Sequence, residues 1–101
     1  MTFKTGQQIW VEGEVRSGMF PSERSFKVAL PPPDERIISG FASQEFVREP
    51  NNGNQGMVAV FVFSKAEKGR VAVLFPGEIL TSTNPVRVPF DWLMKQIHYT
   101  L

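Results

Sequence analysis

Along this chain the densest apolar pattern runs from Met57 to Phe75, MVAVFVFSKAEKGRVAVLF. Two short runs rich in Val and Phe, residues 57–63 and 70–75, flank the polar stretch Ser64 to Gly69. Runs this short, with β-branched and aromatic side chains and no polar face recurring every 3.6 residues, predict strands, not a helix. The hinge ends in Gly69, which can take positive φ, so the two strands are expected to form a hairpin. Val58, Val60 and Val62 fall on one side, Ala59, Phe61 and Phe63 on the other. A strand apolar on both sides belongs in the middle of a small barrel, interior on both faces.

The other segments alternate more conventionally. From Gln7 to Arg16, Ile9, Val11 and Val15 share one side with Gly13, while Trp10, Glu12, Glu14 and Arg16 share the other. This is the pattern of a half-buried first strand, with Gly13 marking a bulge or bend. The loop Ser17 to Glu23 carries Met19 and Phe20, expected to plug one end of the barrel; the other use open to them is an exposed tip for a partner. Arg24 to Leu30 alternates again and is expected to pair with the first strand. Pro31, Pro32 and Pro33 stop it and predict a stiff, extended connector. No flanking cation or PxxP spacing makes them a docking peptide.

Arg36 to Val47 predicts a third strand bent at Gly40, or a strand followed by a short turn. Glu49 to Gly56, EPNNGNQG, is a surface loop. Beyond the hairpin come a turn at Pro76 to Glu78, an extended piece at 79–83, a turn at Asn84 and Pro85, and a short strand at Val86 to Val88. The segment Pro89 to Leu101 has two readings. A tight turn at 90–93 followed by a closing strand, with Gln96, His98 and Thr100 alternating against Ile97, Tyr99 and Leu101, is preferred to a helix over 92–99 capped by Asp91. The result is an all-β chain forming a single small barrel of five to seven short antiparallel strands, with a short turn or helix near its C-terminus.

This succession, and the run Val-x-Val-Pro-Phe-Asp-Trp-Leu at residues 86–93, resembles the SH3-like barrel, in which a 3₁₀ turn beginning at a proline leads into the last strand. The likeness covers most of the chain as a pattern and only residues 86–93 in letters. The Ala-Leu-Tyr-Asp-Tyr run and paired tryptophan of true SH3 domains are missing, so proline-peptide binding does not carry over. Were a groove of that kind retained, Pro89, Phe90 and Trp92 match its turn. An OB-like barrel is the rival closure.

Composition narrows function mostly by exclusion. The chain of 101 residues suits one domain, and with no cysteine it forms no disulfide and no thiolate metal site. One histidine, His98, and scattered carboxylates offer no triad or metal set, and no glycine-rich loop leads into a helix to cradle phosphate, so neither enzyme nor cofactor is expected. No run reaches the roughly 20 apolar residues of a membrane span, and the N-terminus has no secretory signal pattern, so the expected place is the cytoplasm. Eleven Lys and Arg against ten Asp and Glu leave a net charge of +1, too little for a strong nucleic-acid field.

Two binding roles follow. The first is a protein-interaction or assembly module, using an apolar patch of Met19, Phe20, Phe90 and Trp92 with Trp10 and Pro89 as further candidates, or pairing a strand edge with a second copy. The second is a holder of single-stranded nucleic acid, with Trp10, Phe41 and Tyr99 stacking on bases and Arg16, Arg24, Lys27, Arg36 and Arg48 on phosphates. Interleaved Glu12, Glu14, Glu23, Glu35 and Glu45 cancel much of that charge, which favours the first role and makes nucleic acid the less expected partner.

Overall fold

A computed structural model describes residues 3–49 and 55–100, with side chains of the last helix described as far as Ile97. Its strands are β1 (Gln8–Ser17), β2 (Glu23–Ala29), β3 (Ile37–Ser43), β4 (Val47–Arg48), β5 (Gln55–Val62), β6 (Arg70–Leu74), β7 (Glu78–Ile79) and β8 (Val86–Pro89), followed by helix α1 (Phe90–Thr100). They form one antiparallel sheet in the order β7-β3-β2-β1-β5-β6-β8, with β4 on β5. The sheet curls into a half-barrel, as expected of a small all-β barrel. Its concave side holds the core: Ile9, Val11, Val28, Ile38, Val58, Val60, Val71, Val73 and Val88 are fully buried, and Phe26 stacks on Phe75 at 6.2 Å.

The central hairpin forms where the apolar pattern predicts it. Phe61 pairs with Leu74 and Val62 with Val73, and Gly69 takes φ +76 beside Lys68 at φ 54. Only one of its faces is wholly interior. Val58, Val60 and Val62 are buried, but on the opposite face only the small Ala59 and Ala72 are; Phe61 is half-buried and Phe63 is 49% exposed. Trp10 sits opposite Ala59, and Phe46 packs edge-on to Phe61 at 6.1 Å, so cover on the convex side stops short of the hinge.

The glycines in β1 and β3 serve close approach. Pairing of β1 with β5 runs unbroken from Gln8 to Glu14, so Gly13 makes no bulge in it; a Cβ there would stand 2.9 Å from the Lys27 carbonyl oxygen. At Gly40 a Cβ would meet the Glu78 carbonyl oxygen at 2.2 Å, so this glycine is what lets β7 lie on β3. The third strand then takes the strand-and-turn form: β3 ends at Ser43, and a 3₁₀ turn, Gln44–Phe46, leads into β4.

Three further expectations are corrected. The triple proline is a turn, not an extended connector: the Pro31 carbonyl accepts the N–H groups of both Asp34 and Glu35, and the Pro32–Pro33 bond is cis. Met19 and Phe20 do not plug the barrel; they are 81% and 64% exposed at the β1–β2 turn. The preferred closing strand at 96–101 is replaced by α1. Phe90, Leu93, Met94 and Ile97 fall at the i, i+3, i+4, i+7 spacing of a helical stripe and pack on the core, with Leu93 fully buried and Phe90 edge-on to Phe3 at 5.4 Å. Residues 86–93, which carry the SH3-like likeness, thus form β8 and the first turn of a helix.

The helix takes over a strand's work. β2 pairs with β1 only from Glu14 to Ser17, and two positions further along that register Glu12 would face Ala29. There the buried Gln96 of α1 accepts the Glu12 N–H through Oε1 at 3.0 Å, closing β1's edge with a side chain.

Candidate functional site

Among the described residues the β3 edge is covered by β7 and the residues after it, and the outermost β8 is lined with proline. On the β3 side, Leu80 donates its N–H to the Ser39 carbonyl at 2.8 Å. Thr81 Oγ1 accepts the Ser39 N–H at 3.0 Å and donates to the Ile37 carbonyl at 2.9 Å. On the β8 side, the inward groups of Val86 and Val88 face Val73 and Val71, so Pro85, Arg87 and Pro89 turn their backbone outward. The two prolines have no N–H, and the Arg87 carbonyl accepts from Arg36 at 3.4 Å. Edges shortened, capped or lined with proline are poor templates for another strand.

What the fold leaves open is apolar side-chain surface at the other end of β1. The β1–β2 turn is tied by the Gly18 N–H on the Glu23 carbonyl and the Glu23 N–H on the Phe20 carbonyl, both at 3.0 Å, and by Glu23 Oε1 on the Met19 N–H at 3.0 Å, which fixes the backbone and leaves both apolar side chains outward. A hollow of about 420 Å³ lies beside Phe20, lined also by Phe41, Ala42, Gly77 and Glu78. Phe41 borders a second hollow of about 120 Å³ with Leu80, Gly40, Arg16 and Lys27. Leu80 is 61% exposed, so Met19, Phe20, Phe41 and Leu80 belong to one region of the surface.

The remaining partner candidates lie elsewhere. Phe90 and Trp92 are half-buried against the core, and Pro89 is half-buried in β8 opposite Arg70. Trp92 borders a groove of about 280 Å³ where β1 and β2 part, whose other walls are mainly polar: Glu12, Glu14, Lys27, Gln55 and Gln96. In it Glu12 accepts from Gln55 at 2.8 Å, and Glu14 pairs with Arg16 at 2.5 Å. Trp10 carries the Arg48 guanidinium 4.1 Å from its ring centroid, a cation–π contact that occupies one stacking face.

The cations named for nucleic acid do not line one stripe. Arg16 pairs with Glu14; Arg24 pairs with Glu49 and also donates to the carbonyls of Pro21 and Glu23. Arg48 lies over Trp10, Arg36 stands at the far edge beside β8, and Lys27 is exposed on β2. The side chains of Tyr99 and His98 lie outside the described residues.

An arrangement that no sequence pattern announced joins the proline turn to the hairpin. Asp34 receives two hydrogen bonds from Arg70, at 2.5 and 2.7 Å. These bonds lower the Asp34 carboxyl below its ordinary range; burial works against them, and the charges of Arg70 and Arg36 add to the lowering. The same bonds raise the Arg70 guanidinium. Among the described residues no three of His, Cys, Asp or Glu gather as a metal-holding group, and no helix is long and apolar enough to cross a membrane. Comparison with family models finds no match, and neither does comparison with curated proteins or with solved structures.

Proposed function

We propose that this chain is a non-catalytic protein-interaction module of the cytoplasm, and that it docks through the apolar turn and its neighbours: Met19, Phe20, Phe41 and Leu80. The observation that carries this reading is the exposure of Met19, Phe20 and Leu80 at 81%, 64% and 61%, beside hollows able to receive side chains of similar size. Apolar groups fixed outward on a rigid turn suit a partner's surface, since burying a side chain of this size is worth about 1.5–3 kcal/mol. The capped edges favour side-chain docking over strand pairing between copies. The pairing of Arg16 with Glu14 and of Arg24 with Glu49 favours a protein over nucleic acid at this end. In this reading Phe90 and Trp92 anchor the helix, and the SH3-like likeness extends to barrel size and not to the SH3 groove.

The test compares the wild type with the triple variant Met19→Ser, Phe20→Ser, Leu80→Ser by light scattering over a concentration series and by capture from an extract of the native host. The expected result is that self-association, or capture of a defined partner, is lost in the variant. A variant that matches the wild type in both measurements overturns the reading.

A further inference from the structure

The surface beside the apolar turn carries its charge unevenly. β1, β2, β3 and β7 lie side by side, and their registers set two rows across the convex face. Glu14, Lys27, Ser39 and Leu80 form one row, and Arg16, Ser25, Phe41 and Glu78 the next. Val15, Phe26, Val28, Ile38 and Ala42 are buried on the concave side and Ile79 packs on the core, so alternation turns both rows outward.

Phe41 lines both hollows and divides them. The smaller, about 120 Å³, has Arg16 and Lys27 against Glu14, whereas the larger, about 420 Å³, has Glu23 and Glu78 and no cation. Lys27 and Glu78 are exposed, and neither makes an ion pair among the described residues.

Opposite charges on either side of an apolar ridge make such a patch complementary to itself. The Cα atoms of Lys27 and Glu78 are two strand spacings and two residues of rise apart, about 12 Å, and the midpoint between them falls at Gly40. A two-fold axis lying in the plane of contact there, at right angles to the line joining them, sets Lys27 of each copy on the partner's Glu78. The same rotation carries each Phe41 over the other copy's smaller hollow, brings the two Leu80 side chains together and moves Arg16 toward the partner's Glu23.

We infer that this face binds a second copy of the chain in a closed two-fold dimer, with Lys27 paired to the partner's Glu78 and each Phe41 seated in the smaller hollow of the other copy. The inference rests on the docking reading above and names its partner. A segment of uniform charge is repelled by one of the two hollows, whereas a second copy offers the opposite sign at each.

The test follows self-association by sedimentation up to about 1 mM protein, for the wild type and for the charge reversals Lys27→Glu and Glu78→Lys. Each reversal alone sets like charges together twice in the dimer and is expected to raise the dissociation constant at least about tenfold. An equimolar mixture of the two variants is expected to return close to the wild-type constant, because every such pair across the contact is then of opposite sign. Lys65→Glu and Glu67→Lys make the same charge changes at exposed positions in the β5–β6 hinge, away from this face, and are expected to associate as the wild type does. Matching thermal midpoints confirm that the variants fold. The inference is overturned by a wild type that stays monomeric throughout that range, by a mixture that associates no better than its components, or by hinge reversals that act as strongly as those at Lys27 and Glu78. A monomer that still captures a protein through Met19, Phe20 and Leu80 keeps the docking reading and removes the second copy as its occupant.

Discussion

The two hairpins that build the middle of the sheet end in opposite ways. The β1–β2 turn raises Met19 and Phe20 into solvent, whereas the β5–β6 hinge is polar and lies under Arg87, which reaches the Glu67 carbonyl. Both hairpins contribute buried valines to the same core, so the contrast belongs to the turns and not to the strands. A polar turn needs no cover. An apolar one without cover gains nothing for the isolated chain, which is why the first turn, and not the second, is read as a docking surface.

The largest effect expected from breaking this contrast comes from removing apolar volume where it is enclosed. Leu93→Ala should cost about 2–5 kcal/mol in urea unfolding, because it empties space under α1. Serine at both Met19 and Phe20 should change stability by only about 0.5 kcal/mol, since no native packing is lost. Comparable losses from the two changes would mean that the turn is part of the core after all.

Next in size is Gln96→Leu, which keeps the bulk of the side chain but leaves the Glu12 N–H without the Oε1 acceptor; a loss of about 1–3 kcal/mol is expected, read as a lower urea midpoint at unchanged slope. The smallest effect concerns the contact that ties the hairpin to the proline turn. Asp34 is held below its ordinary value of 3.8 in the folded chain, so its contribution is complete above that value and disappears as pH falls through the lower, folded value. Asp34→Asn should therefore lower the neutral plateau slightly and leave stability at the acid end unchanged, so that the acid limb flattens by the same amount, a small one because the pair is partly exposed.

How much of this was legible in the letters depended on how local the cause was. The hairpin, the alternation in β1 and β2 and the stop at Pro31 are set by side-chain pattern and turn chemistry within a few residues, and they were readable. The C-terminal helix carried a readable signal, since Phe90, Leu93, Met94 and Ile97 give the helical stripe, but a helix begun at Trp92 leaves out its first member. Alternation of Gln96 to Leu101 then makes a strand look the better choice. The cover over Ala59, the cap at Glu12 and the Asp34–Arg70 pair join residues distant in sequence, and no local pattern encodes such meetings. Exposure of Met19 and Phe20 was open for the same reason, since whether anything lies above a turn is decided by the rest of the fold.

The outward line of Pro85, Arg87 and Pro89 bears on crowding. With one N–H between two imino acids, this rim offers almost no foothold for a neighbouring backbone, so the sheet ends where the chain ends it. Concentrating the protein should yield particles of fixed size, and not ribbons that lengthen copy by copy.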